Sequence, residues 1–284
     1  MLWKTGRRSQ NIEDRRGLRI SRGLGGGSIG IIVLALVALF FDIEPRIVMQ
    51  GAEILGSGTS QTETQPIPPG QEEAKEFTSV VLADTEDTWR VLFPEQLNKK
   101  YEEPTLVLFS GVVQSACGFA QAAMGPFYCS TDQKVYIDLS FFDDLKKLGA
   151  AGDFAQAYVI AHEIGHHIQT LLGISDRILA QREHMNEAQR NALSVRQELQ
   201  ADCFAGVWAN HAHRARNILE SGDVEEGLNA AAAIGDDRLQ KQSQGFVIPE
   251  SFTHGSSEQR ARWFRRGLES GKVSSCDTFN TKRL

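Results

Sequence analysis

The residues of this chain best suited to chemistry lie in Val159-Ile160-Ala161-His162-Glu163-Ile164-Gly165-His166-His167-Ile168-Gln169. The stretch holds His-Glu-x-x-His and reads as a helix. His162 and His166 are four residues apart, so on a helix they project from one face, one turn apart. Two imidazoles so placed can hold one Zn²⁺ at about 2.0–2.1 Å each. Glu163 stands one step round the helix, flanks the open coordination position, and can take a proton from a water held there. Alanine, isoleucine and valine precede the motif, and Ile168, Leu171 and Leu172 continue an apolar face after it. That describes a buried helix, where imidazoles without partners would be costly.

Catalytic zinc takes three protein ligands and leaves one position for water, so two histidines make an incomplete site. Downstream candidates are His184, His211, His213, His254 and many carboxylates. Glu198 in Glu198-Leu199-Gln200-Ala201-Asp202-Cys203-Phe204-Ala205-Gly206 is the best of them. Glu198 and Asp202 share a helix face, and Ala201, Ala205 and Gly206 are small enough for a second helix to approach closely. Glu198 can ligate the ion while Asp202 accepts the other ring N–H of a ligand histidine, fixing its tautomer and orientation. The competing reading is an ordinary solvated acidic face. His167 points about 100° away from His166 and reads as structural. His211 and His213 lie two apart on a helix and cannot chelate together.

These side chains need elements to hold them. The sequence predicts a helix over residues 74–93 broken by Pro94, a strand from Thr105 to Val113, and a hairpin around Ser130-Thr131-Asp132-Gln133. It further predicts a helix after Ser140, the motif helix after Asp153, and helical sequence from Ser175 to Arg216. Two more helices follow, near 224–242 and 256–269. Trp263 and Phe264 in the last helix read as core, and the arginines around them as a solvated face or an anchor to an acidic surface. Ahead of all this, residues 1–23 carry Lys4, Arg7, Arg8, Arg15, Arg16, Arg19 and Arg22 against Glu13 and Asp14. They read as a flexible basic tail in the cytoplasm. Residues 24–43 contain an apolar run long enough for one transmembrane helix, with its basic flank inside. Residues 44–73 are rich in Gly, Ser, Thr, Gln and Pro and read as a disordered linker, with the catalytic domain over 74–284.

Four cysteines are present, with no C-x-x-C pair. Cys117 and Cys129 flank a Gly-Pro turn and can bridge adjacent strands, leaving Cys203 and Cys276 as a second pair. Four buried free thiols is the alternative. Disulfides suit an oxidising compartment, which agrees with a domain outside the inner membrane. A net charge of −6 argues against a nucleic-acid partner.

The pattern His162-Glu163-x-x-His166 followed by Glu198-x-x-Ala201-Asp202 resembles the gluzincin metallopeptidases, in particular the branch of membrane-bound prenyl-protein and heat-shock proteases. A closer resemblance, over nearly the whole chain, is to the bacterial family of putative neutral zinc metallopeptidases. It includes the N-terminal Arg-Arg-Ser-Gln-Asn-Ile-Glu-Asp-Arg-Arg-Gly, Gln114-Ser115-Ala116-Cys117-Gly118, Gly125-Pro126-Phe127-Tyr128-Cys129 and Val135-Tyr136-Ile137-Asp138-Leu139. The resemblance implies an α+β fold, mainly helical and zincin-like, with a small antiparallel sheet. It implies one Zn²⁺ per chain on His162, His166 and Glu198, Asp202 behind them, and a peptide or protein substrate. Thr253-His254-Gly255-Ser256-Ser257-Glu258-Gln259-Arg260 resembles a Thr-His-Pro-x-x-x-x-Arg segment of the heat-shock branch, with glycine in place of proline. His254 would then stabilise the tetrahedral oxyanion or take zinc's fourth position, and Arg260 would support the same charge. An edge strand at residues 112–118 would hold extended substrate, braced by a Cys117–Cys129 bridge. The expected activity is hydrolysis of internal peptide bonds, with Glu163 as general base. The alternative is a non-catalytic zinc-binding envelope module, for which Glu163 would have no use.

Overall fold

The computed structural model describes residues 1–21, 61–64, 67 and 70–284. The chain divides into two compact units, residues 16–67 and residues 1–15 with 68–284. In chain order the strands and helices begin with β1 (Ile12–Asp14), β2 (Leu18–Ser21), β3 (Gln61–Thr64) and α1 (Gln71–Leu97). They continue with β4 (Thr105–Phe109), β5 (Val112–Ser115), β6 (Gly118–Gln121), β7 (Phe127–Cys129) and β8 (Lys134–Asp138). The remaining helices are α2 (Phe141–Lys147), α3 (Asp153–Leu171), α4 (Ile174–Arg182), α5 (Glu187–Arg216), α6 (Asp223–Ala233), α7 (Asp236–Gln244) and α8 (Ser257–Ser270). The architecture is α+β and mainly helical.

In the smaller unit, β2 and β3 pair antiparallel, with Leu18 opposite Thr64. Order at 61–64, and helix from Gln71, correct the expectation of a structureless 44–73 at those positions. The apolar run at 24–43, expected to cross a membrane, lies outside the described residues. No helix among the described residues is long and apolar enough to cross a membrane.

The larger unit holds a four-stranded sheet in the order β1-β4-β8-β7. It is mixed rather than antiparallel as expected. β1, β4 and β8 run parallel, and only β7 runs antiparallel to its neighbour β8. Leu106, Leu108, Val135 and Ile137 point from the sheet into the same core as Phe154, Ile160 and Ile164 of α3. The strand expected from Thr105 to Val113 is cut at Ser110 and Gly111, where the Gly111 N–H donates to Asp138. Beyond the break the chain enters a separate two-stranded ladder, β5 with β6. α1 runs on through Pro94 to Leu97 instead of ending there. Proline removes one backbone bond, but Leu92 and Phe93, both fully buried, hold the final turn in the core.

Residues 1–15 are not a tail. Arg7 bonds Glu86 at 2.6 Å and Asp87 at 2.8 Å, and Arg8 bonds Glu76. Ser9 and Asn11 both donate to the buried Glu86. Glu13 meets Lys134 at 2.8 Å and Asp14 meets Lys75 at 2.8 Å. The basic segment therefore straps onto α1 and ends as a strand of the central sheet. Its charges read as solvated in isolation because the acidic partners lie far along the chain, on α1.

α5 and α8 each start on a reciprocal capping box, Asn186 with Gln189 and Ser256 with Gln259. They cross where both are small: a Cβ on Gly206 would stand 2.1 Å from the Phe264 carbonyl oxygen. Disulfides join Cys117 to Cys129 and Cys203 to Cys276, the two pairs expected.

Candidate metal centre

The motif helix α3 meets α5 at Gly165, where a Cβ would stand 2.8 Å from the Ala201 carbonyl oxygen. That close approach brings Glu198 to the two histidines. His162 Nε2 lies 3.1 Å from Glu198 Oε2, and His166 Nε2 lies 3.3 Å from Glu198 Oε1. One donor atom from each of the three residues lies within 4.8 Å of the other two. On a tetrahedral ion with bonds of about 2.0–2.1 Å, neighbouring ligand atoms stand about 3.3 Å apart. The nitrogen, nitrogen, oxygen set and its spacing fit Zn²⁺.

The far side of each imidazole is fixed as well. His162 Nδ1 faces Asp202 Oδ1 at 2.8 Å. A carboxylate only accepts, so Nδ1 carries a proton, and Nε2 is the nitrogen turned toward Glu198 and the site. His166 Nδ1 faces Gln169 Oε1 at 2.9 Å, while Gln169 Nε2 donates to the Gln197 carbonyl and to Gln200 Oε1. Gln200 in turn donates to the carbonyl of Cys276, which ties this support to the second disulfide. Asp202 is wholly buried and accepts from Arg260 Nε at 3.0 Å, Arg260 Nη2 at 2.9 Å and the Tyr158 hydroxyl.

This arrangement makes the site attract positive charge. Burial opposes protonation of His162, but Asp202 and Glu198 outweigh it and raise the imidazole to about 10. Burial likewise opposes ionisation of Glu198 and Asp202. The histidines hold Glu198 well below the ordinary carboxylate range, and Arg260 with His162 lowers Asp202. Metal ligands must be deprotonated, so a cation entering this pocket competes with the proton it holds. Glu163 behaves differently. It is buried on the cleft wall, and burial raises its proton affinity even though His162 and His166 stand nearby.

Arg260, expected to face the substrate's charge, has its guanidinium on Asp202 and Tyr158 behind His162. His254 lines the same cleft as His162, Glu163 and His166 but does not belong to the three-donor group. Its Nδ1 lies 3.2 Å from Asp236 Oδ1, and Asp236 Oδ2 accepts the backbone N–H groups of Thr253, His254 and Gly255. Those bonds hold Asp236 below the ordinary range despite its burial. His167 is buried between the Glu102 carbonyl and the Tyr128 hydroxyl, and burial lowers it to about 4, so it is a neutral structural ring.

The cleft has a volume of about 670 Å³. Phe127 and Tyr128 of β7, the end strand of the sheet, line it, whereas residues 112–118, expected there, do not. They belong to the β5–β6 ladder and its turn, which the Cys117–Cys129 disulfide ties to β7. A larger groove of about 930 Å³ runs between the N-terminal strap and α1, with no convergent metal donors among the described residues. A second acidic group, Asp153, Asp223 and Glu226, lies beside the amino group of Met1, which pairs with Asp153 and Asp223.

Tyr158, Gln169 and Asp236 are functional neighbours that reading the sequence missed. Tyr158 and Gln169 were within reach, one at i−4 from His162 and the other at i+3 from His166. Asp236 falls inside the single helix expected near 224–242 and gave no signal.

A family model described as "Putative neutral zinc metallopeptidase" matches residues 1–279. The chain is 50% identical to "Uncharacterized protein YpfJ" of Escherichia coli strain K12, over 98% of this chain and 99% of that protein. It is 43% identical to "Uncharacterized protein Rv2575" of Mycobacterium tuberculosis strain H37Rv, over 69% of this chain and 67% of that one. No solved structure matches the chain.

Proposed function

The chain belongs to the family of putative neutral zinc metallopeptidases, and from that premise we propose that it is a zinc-dependent peptidase cleaving internal bonds of polypeptides. The observation that carries the reading is the convergence of His162, His166 and Glu198, with Glu163 beside them on the wall of one cleft. Zinc in such a site supplies Lewis acidity to a carbonyl oxygen and acidifies water. Asp202 and Gln169 keep the ligand rings in the tautomer that presents Nε2. The Glu163 carboxylate accepts a proton from water as the water oxygen adds to the peptide carbonyl carbon. It returns that proton to the amide nitrogen as the C–N bond breaks. A carboxyl of raised proton affinity suits both transfers. His254, whose Nδ1 faces Asp236 Oδ1 at 3.2 Å, presents its Nε2 edge to the oxygen that becomes negative. The edge of β7 holds an extended substrate by backbone pairing.

Glu163→Gln should keep zinc content and lower cleavage by about 10²–10⁴-fold. Full activity in a zinc-loaded Glu163→Gln protein would end the reading. Mass spectrometry of products from an unfolded protein separates cleavage at internal bonds, our expectation, from trimming of ends. The non-catalytic alternative calls for a site closed by a fourth protein ligand, and His254 is not in the donor group.

The place of action is part of the proposal. Two disulfides support an oxidising compartment outside the cytoplasm. β1 shares a sheet with β4 and β8, which supports residues 12–14 lying on the same side of any membrane as the cleft. In this proposal the N-terminal strap stands on the cleft's side, where the basic residues alone suggest a cytoplasmic N-terminus. A cysteine introduced at Lys4, which is exposed, should react with a membrane-impermeant maleimide in intact spheroplasts. Labelling only after lysis would refute the assignment.

A further inference from the structure

The two most exposed large apolar side chains among the described residues stand at the cleft's outer lips. They are Met124, at 73% exposure, and Leu179, at 67%. A scattered exposed leucine calls for no explanation. Here both extremes border the one cleft that holds the metal donors. They come from unrelated elements, Met124 from the turn before β7 and Leu179 from α4. The inner wall is apolar too. Val159, three residues before His162, is buried there, and Phe141, Leu148, Ile234 and Leu239 are partly buried around it. Apart from the site residues already described, the charged groups on the lining are Asp176 and Arg182, of opposite sign, so outside the metal donors the lining favours neither charge.

We infer that this cleft selects an extended chain segment bearing large apolar side chains, with Met124 and Leu179 as specificity-determining residues on its lips. The inference rests on the peptidase reading and names its substrate class. Such segments are buried in folded proteins and exposed in unfolded ones, so the matching substrate is unfolded polypeptide. Apolar lips lose water when a bulky side chain lies across them, and the end strand β7 fixes the backbone between them.

The test uses the zinc-loaded full chain and two quenched fluorescent peptides of equal length. One carries Leu and Phe at its central positions and the other carries Ser there. The wild type should show a kcat/KM at least about tenfold higher on the apolar peptide. Met124→Ser/Leu179→Ser should narrow that ratio mainly through KM, with zinc content and Tm unchanged. Met124→Leu/Leu179→Met should retain it, which separates lost specificity from misfolding. Equal cleavage of both peptides overturns the inference and leaves the peptidase reading standing. If neither is cleaved, the peptidase reading fails. Fluorescence anisotropy with zinc-loaded Glu163→Gln then decides the inference, because equal binding of the two peptides overturns it. A ratio unchanged in the serine double variant overturns it too, as does a change confined to the sedimentation coefficient, which would make the lips a contact between copies.

Discussion

Two histidine–aspartate pairs border the same cleft at different depths. His162 and Asp202 meet at 2.8 Å, and Asp202 is wholly buried. His254 and Asp236 meet at 3.2 Å, and the His254 side chain is 53% exposed. The chemistry is the same, an imidazole Nδ1 against a carboxylate oxygen. The surroundings differ. Asp202 also holds both Arg260 nitrogens and the Tyr158 hydroxyl, so the ring it orients is fixed from several sides. Asp236 gives its other oxygen to three backbone N–H groups and so fixes the loop more firmly than the ring. In the proposed mechanism the deep pair mounts a metal ligand and the shallow pair supplies a hydrogen-bond donor. Depth and the number of partners, more than the pairing itself, separate the roles.

The largest expected effect tests that contrast directly. Arg260→Met would leave Asp202 buried beside His162 without its cation. Breaking a buried pair by removing one partner costs about 3–5 kcal/mol. His254→Gln removes the exposed partner of its pair and leaves Asp236 with its three backbone N–H donors, so the cost should be near that of an exposed pair, about 0–1 kcal/mol. Denaturant unfolding of the two variants in the same buffer measures both. Similar losses would mean that burial does not distinguish the pairs.

Next in size is the effect of His254 on turnover. If it donates to the developing oxyanion, His254→Gln should lower kcat by about 10²–10³-fold, as loss of such a donor does elsewhere. KM and zinc content should stay close to wild type. A fall in zinc content along with activity would make His254 a ligand, and the shallow pair would then work like the deep one.

Much of the deep pair was legible in the sequence, and little of the shallow one. His162, His166, Glu198 and Asp202 lie on two helices at four-residue spacings, and helical periodicity converts such spacings into shared faces. The Cys117–Cys129 pairing followed from two cysteines flanking a turn, and Cys203–Cys276 was the pair that remained. Asp236 and His254 are eighteen positions apart on a helix start and a loop, and no periodicity relates them. The same limit explains Arg260. The resemblance implied charge support at the reacting centre, and no sequence spacing indicated that its guanidinium would meet Asp202 on a crossing helix at the cleft. Proline at 94 and the basic run at 7–16 misled for a related reason. Each was judged by its local tendency, and the core around Phe93 and the acidic face of α1 override that tendency.

Glu13 adds a third carboxylate to the comparison and the smallest expected effect. It sits on β1, with Arg15 Nε at 2.8 Å and Lys134 Nζ at 2.8 Å, and its side chain is 40% exposed. Hydrogen bonds from Arg15 and Lys134 outweigh burial and bring its carboxyl from 4.5 to about 2. A carboxyl whose pKa is lower in the fold than in the unfolded chain stabilises the fold above 4.5. That contribution falls away as pH drops from 4.5 through about 2. Because water and salt reach this site, the contribution should be small and should shrink further as ionic strength rises. Unfolding at about pH 5 and about pH 3, in low and high salt, should show a slope that Glu13→Gln reduces and that salt weakens. A slope from Glu13 that salt leaves untouched would mean that this strap behaves like the buried Asp202 cluster. Exposure would then no longer explain why the His254 pair differs from the His162 pair.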